Sequence, residues 1–189
     1  NRIHGSTCEG ADAIDIGEGG RNIVIEGNLI TDLIDKGISL GEGAEARIVN
    51  NTIVRCGMGV GVKDEARALI TGNTFYKTTV GVHCYEKIAG QGGGHAEIKR
   101  SIFAACGEAP IKVDGLSTII VSHSLCDTAL LPGEGNLHAV PVFENPDLDL
   151  FGLVLNPPPK VVGDAPPLAA DSPDLKDLGS RLKNPGVKP

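Results

Sequence analysis

The sequence contains no tryptophan, only four phenylalanines and two tyrosines in 189 residues. That scarcity excludes a core built on large rings and a sugar-binding platform of many exposed aromatics. Basic residues are outnumbered 17 to 24, for a net charge of −7. No basic patch of the kind needed for nucleic acid or an anionic membrane surface is present. No apolar run approaches the ~20 residues of a spanning helix, and no segment has the charged start and apolar stretch of a signal peptide. The five cysteines, Cys8, Cys56, Cys84, Cys106 and Cys126, form no CxxC pair and no metal-like spacing with histidine. Their odd number leaves at least one thiol unpaired, and the register below places most of them as small apolar core residues. Phosphate-binding loops, dinucleotide fingerprints and Ser/His/Asp or Cys/His nucleophile arrangements are also missing.

What is abundant is Ile, Val, Leu and Ala, together with 26 glycines. Such a balance suits a narrow core of short strands joined by tight turns. Three strings recur. The first reads Ala13-Ile14-Asp15-Ile16, Gly37-Ile38-Ser39-Leu40, Gly59-Val60-Gly61-Val62, Gly81-Val82-His83-Cys84 and Pro110-Ile111-Lys112-Val113. The second is a short strand reaching Ile25, Ile48, Ile70, Ile98 and Val121, in steps of 23, 22, 28 and 23 residues. The third begins at Asn28, Asn51, Asn73, Ser101 and Ser124, with Asn1-Arg2-Ile3 extending it upward. All three strings stretch in the same coil, where the insertion Glu86 to His95 with its Gly-Gly-Gly is placed.

Each string alternates apolar with polar or small residues, the period of a strand with one buried face. Strands this short cannot bury themselves singly, but stacked at about 4.8 Å they form three parallel sheets around one column. No sustained helical spacing competes with this pattern. The prediction is all-β: a single-stranded parallel β-helix of about five to six coils over residues 1–128, followed by an irregular capping segment, 129–189. The asparagine column suits a corner, where each amide hydrogen-bonds backbone and the amide one turn away, and where Asn tolerates left-handed backbone.

The strings Asp12-Ala13-Ile14-Asp15-Ile16, Asp35 to Gly43, Asn50-Asn51-Thr52-Ile53 and Gly61-Val62-Lys63-Asp64 resemble secreted bacterial right-handed β-helix repeat proteins of pectate-lyase-like architecture. They are especially similar to β-helix regions of large proteins with spore-coat-kinase-like modules. The later stretches Ser124-Leu125-Cys126, Gly135-Asn136-Leu137, Pro141-Val142-Phe143 and Ser172-Pro173 are similar to the closing segment of such chains. Val140 stands where that pattern has Asp, and the final motif carries one extra residue within Asp174 to Gly179. The resemblance implies a right-handed helix, a secreted, extracellular or periplasmic setting and further domains upstream, in keeping with a pattern that opens in mid-repeat. It implies no one activity, because lyases, hydrolases, epimerases and non-enzymes share the architecture.

Eleven of the twelve prolines fall from Pro132 onward. Proline lacks the N–H that a ladder needs, so regular coils are expected to stop near residue 128. Beyond it the sequence supports one or two strands, at 137–143 and 150–155. This segment is expected to run back along the helix or cover its open end, since an uncapped edge is sticky.

Chemistry has two places to sit. One outward column of the first string runs Asp15, Ser39, Gly61, His83 and Lys112; a second, at the following turn, runs Glu18, Glu42, Asp64 and Glu86. Carboxylates stacked one turn apart repel unless solvated, neutralised by Lys63 and Lys87, or bridged by a hard cation such as Ca²⁺. Glu18, Glu42, Asp64 and Glu86 are thus the candidate metal ligands. Asp12 and Asp15 are the candidate carboxylate pair for glycoside hydrolysis, with Lys63 or His83 as candidate bases and Lys36, Tyr85 and Lys112 as candidate ligand contacts. These residues leave two readings open. One is a structural or surface-interaction module whose solenoid face meets a polysaccharide or a protein. The other is a polysaccharide lyase or glycoside hydrolase working on the first-strand face.

Overall fold

A computed structural model of the chain describes residues 1–154 and, as backbone, the strand Lys160–Val161. Three strands per coil stack in parallel over about five turns. The first sheet comprises Ile14–Ile16, the second halves of Leu29–Leu40 and Thr52–Lys63, then Val80–Tyr85 and Ala109–Val113. The second comprises Ile23–Glu26, Glu45–Val49, Arg67–Thr71, His95–Lys99 and Thr118–Ser122. The third begins at Arg2–Ser6, takes the first halves of the two long strands, and continues through Thr74–Tyr76, Ile102–Ala104 and Leu125–Cys126. In two coils the third and first strands form one bent strand of 12 residues, so those two sheets are joined by hydrogen bonds there.

The registers match the sequence columns. Ile25, Ile48, Ile70, Ile98 and Val121 are paired rung to rung and all buried. Ile30, Ile53, Phe75, Phe103 and Cys126 form a second interior row, in which the two phenylalanine rings stack at 4.9 Å. Each such aliphatic or aromatic side chain contributes about 1.5–3 kcal/mol by leaving water. Tight packing explains the glycines that open the first string. A Cβ on Gly59 would lie 2.4 Å from the Gly81 carbonyl oxygen and 2.5 Å from the Phe75 ring; Gly81 repeats this against Pro110 and Phe103.

Corners are built from left-handed residues in columns. Glu18, Glu42 and Asp64 lie at φ 51, 52 and 53°, and Asp32, Arg55, Lys77 and Ala105 at 62, 52, 53 and 54°. At the asparagine corner the left-handed residue is the one before the column, Asn50, Arg100 and His123 among them, and not the column residue itself. The column amide instead bridges rungs. Asn1 donates to Asn28, Asn28 to Asn51 and Asn51 to Asn73 through Nδ2–H···Oδ1 bonds of 2.9–3.0 Å. Ser101 and Ser124 then continue as hydroxyl acceptors for the main chain of the preceding rung.

Past the regular coils a strand forms within the 137–143 stretch where the sequence supports one. Leu137–Val140 adds a parallel strand beside Leu125–Cys126, and Asn136 extends the corner ladder by accepting from the Ser124 N–H at 2.9 Å. The prolines flank the new strand rather than occupy its paired positions. Phe143–Asn145 and Leu150–Leu153 then form an antiparallel pair linked by a short turn at Pro146–Leu148. Phe143 and Phe151 pack on Tyr76, over Val54, Ile102 and Leu125, on the outer face of the third sheet. Asp149 pins this pair to the coils through Arg2 at 2.7 Å and Arg55 at 3.2 Å. The expected strand at 150–155 is thus seen as far as Leu153, and the rest of the closing segment, including Ser172-Pro173, lies outside the described residues. Tyr76, one of the two tyrosines, is packed against these phenylalanines.

Candidate functional site

With the third sheet covered, the outer faces of the first and second sheets remain open among the described residues. The first carries the expected column in register: Asp15 beside Ser39, Ser39 beside Gly61, Gly61 beside His83, and His83 beside Lys112. Gly61 makes a notch in it. A Cβ there would meet Lys36 Cδ at 2.9 Å, Met58 Sδ at 3.1 Å and Tyr85 Cε1 at 3.8 Å, so its absence lets these three side chains close over the strand. Tyr85 lies half-buried with its ring stacked on His83, centroids 4.4 Å apart.

The charges on this face are paired. Lys36 Nζ lies 2.6 Å from Asp35 and 3.1 Å from Asp12, and the Lys36 main-chain N–H donates to the same Asp12 oxygen. Burial works against the Lys36 charge, but the bonds from Asp35 and Asp12 outweigh it and raise its pKa. Lys112 holds Glu108 at 2.6 Å. Lys63 donates to the fully buried Ser39 hydroxyl and lies 4.0 Å from Asp15. Its pKa is lowered, by burial above all and then by the like charges of Lys87 and Lys36, with Asp15 opposing. His83 is likewise held below its usual value by burial and by Lys112, and burial raises the Tyr85 phenol.

Asp12, Asp15, Lys36, Lys63, His83, Tyr85 and Lys112 therefore do share one face. The acidic column also forms, but its members turn to the backbone instead of to each other. Glu42 accepts from the Glu18 N–H at 2.9 Å, Asp64 from Lys87 and Ile88, and Glu86 from Gly90 and Gly92. Amide donors of the turns thus satisfy carboxylate oxygens of Glu42, Asp64 and Glu86 in that column. Asp114, which the sequence reading missed, continues it by accepting from the Glu86 N–H at 2.7 Å. Among the described residues no three His, Cys, Asp or Glu side chains converge to hold a metal ion. Asp64 is buried, and its Oδ2 has no hydrogen-bond donor among the described residues.

The second sheet carries a shallow groove of about 800 Å³ on its outer face, with Arg47, Arg67 and His95 among its lining. Sequence reasoning used these strands for their inward residues alone. The signal was present in the alternate positions, where two arginines fall on adjacent rungs.

The family model described as "Right handed beta helix region" matches residues 1–129. The chain belongs to this family. The match fixes the right-handed sense of the coils and ends where the regular three-stranded coils give way to the closing segment. No curated protein and no solved structure matches the chain. Among the described residues of this β-helix no helix is long and apolar enough to cross a membrane.

Proposed function

We propose that this β-helix is a structural and surface-interaction module of a larger secreted bacterial protein, and that its first-sheet face holds a neutral glycan without turning it over. The observation that carries the reading is the mutual pairing of charge on that face: Lys36 with Asp12 and Asp35, Lys112 with Glu108, Lys63 with Asp15. A ribbon of compensated charge offers donors and acceptors to hydroxyls without a net field to attract an ion. The stacked His83–Tyr85 pair supplies one flat surface for a sugar ring. Hydrolysis requires two carboxylates, one free to give a proton. Lys36 engages Asp12 through both its ammonium and its N–H, which leaves Asp15 without a free carboxylate partner on its strand. The likeness to secreted bacterial repeat proteins supports the setting.

The test is a glycan array probed with the full chain and with Tyr85→Ala. Retention of a neutral glycan that the variant loses supports the reading. Polyuronates and neutral polysaccharides are incubated with the chain in parallel; unsaturated product or new reducing ends would replace it with a lyase or hydrolase.

A further inference from the structure

We propose that the outer face of the second sheet is a binding groove for an acidic polysaccharide, gripped by Arg47 and Arg67. This goes beyond the first-sheet reading, since it concerns another sheet and a charged ligand, and either can fail without the other.

The strand registers place the two arginines diagonally on neighbouring rungs. Arg67 pairs with Glu45 on one side and His95 on the other, and Arg47 pairs with Val24 and Leu69. One rung and two residues separate their Cα atoms by roughly 8 Å. Both are exposed, and neither has a carboxylate partner among the described residues. The acids of the groove are already satisfied from its margins. Glu45 lies 3.7 Å from Arg21 and Glu97 lies 2.6 Å from Lys99, and neither cation lines the groove. Among the described residues, two guanidinium groups without an ion pair thus line this groove of a chain whose net charge is −7. Guanidinium forks bind carboxylate or sulfate oxygens two at a time, which a lysine cannot reproduce.

Aliphatic side chains flank them. One outward column runs Val24, Arg47, Leu69, Glu97 and Ile120, with Val24 52% and Ile120 66% exposed. The floor is a sheet face, so its main-chain groups are consumed in the parallel ladder. An acidic peptide lying there would leave its own N–H and C=O groups without protein partners. A sugar chain has no such obligation: its C–H faces rest on the aliphatic side chains and its acidic groups reach the arginines. Five strands give the groove a length of about 19 Å, enough for several sugar units.

Isothermal titration of the full chain at low salt tests this with four probes: carboxymethyl-dextran, dextran sulfate, unmodified dextran and polyglutamate. The expected result is binding to one or both charged dextrans and none to dextran itself. Arg47→Ala combined with Arg67→Ala should weaken that binding about tenfold, as expected for two exposed pairs. Tyr85→Ala should leave it unchanged. Both arginines are exposed, so unaltered circular dichroism and melting of the double variant confirm that folding is intact. Binding of the charged dextrans that survives the double substitution, equal binding of unmodified dextran by the Tyr85→Ala chain, or no binding of either charged dextran overturns the proposal. Polyglutamate bound as tightly as the charged dextrans overturns it in favour of an acidic protein segment. A dimer that the double variant converts to monomer overturns it in favour of a second copy of this chain.

Discussion

Asn51→Ala removes the centre of the corner ladder. Asn51 is fully buried. Its Oδ1 accepts from the N–H and Nδ2 of Asn28 at 3.0 and 2.9 Å, and its Nδ2 donates to the Ile25 carbonyl at 2.9 Å and to Asn73 Oδ1 at 3.0 Å. Alanine deletes all four bonds. Asn73 Oδ1 retains the Asn51 N–H at 2.8 Å, and Asn28 Nδ2 retains the Glu26 carbonyl at 3.1 Å. The buried Asn28 N–H loses its acceptor, and desolvation of such a group costs about 1–3 kcal/mol. At about 1 kcal/mol per bond the substitution should destabilise the chain by about 4 kcal/mol. In a chain of this size each kcal/mol moves Tm by about 2–4 °C, so a fall of about 10 °C is expected. Urea unfolding and calorimetry provide the measurement, with Asn1→Ala as the comparison. Asn1 is exposed and contributes a single side-chain bond, 3.0 Å to Asn28, so it should cost less than about 1 kcal/mol. Equal losses for the two variants would refute the reasoning, because the corner would then be held by the aliphatic rows alone.

Two further outcomes follow from the same geometry. Cys56, Cys84 and Cys106 are buried, and burial pushes their thiols up to about 11, 12 and 11; Cys126 is buried too, and Cys8 alone is exposed. A thiol reagent at mildly alkaline pH should therefore modify one cysteine promptly and the other four only on unfolding, and prompt modification of any of those four would contradict the burial. In acid, the Arg55 hydrogen bonds hold the Asp32 carboxyl at about 2, below its usual 3.8. The stabilisation is therefore present above about pH 4 and disappears as pH falls through about 2. Because the pair is largely exposed it is worth less than about 1 kcal/mol. Asp32→Asn should flatten that part of the stability-against-pH curve measured by urea unfolding, and an unchanged acid slope would show that the pair contributes nothing.

The rows of aliphatic residues were legible because a solenoid repeats its strand pairing at one spacing. Ile25, Ile48, Ile70 and Ile98 fall in one interior column for the same reason that their sequence steps are nearly equal. The insertion between Glu86 and His95 lengthened one coil without disturbing the register of Ile70 with Ile98. The asparagine ladder was legible in the same way, although the left-handed residue proved to be its neighbour, since backbone torsion is not written in the side-chain column.

The sequence by itself determined the coil, its period, its interior rows and which candidate residues share the first-sheet face. Only the tertiary structure decided what those residues touch. Lys36 is bound by Asp12 and Asp35, Glu42 and Asp64 turn to amide groups of adjoining turns, and Glu86 to those of its own loop. It also decided which face is covered: Phe143 and Phe151 return across dozens of residues to pack on Tyr76. The physical reason is one of range. A stacking period is a local property repeated along the chain, whereas ion pairing, capping and the surroundings of Arg47 and Arg67 depend on side-chain direction and on segments that meet only after the coils are wound.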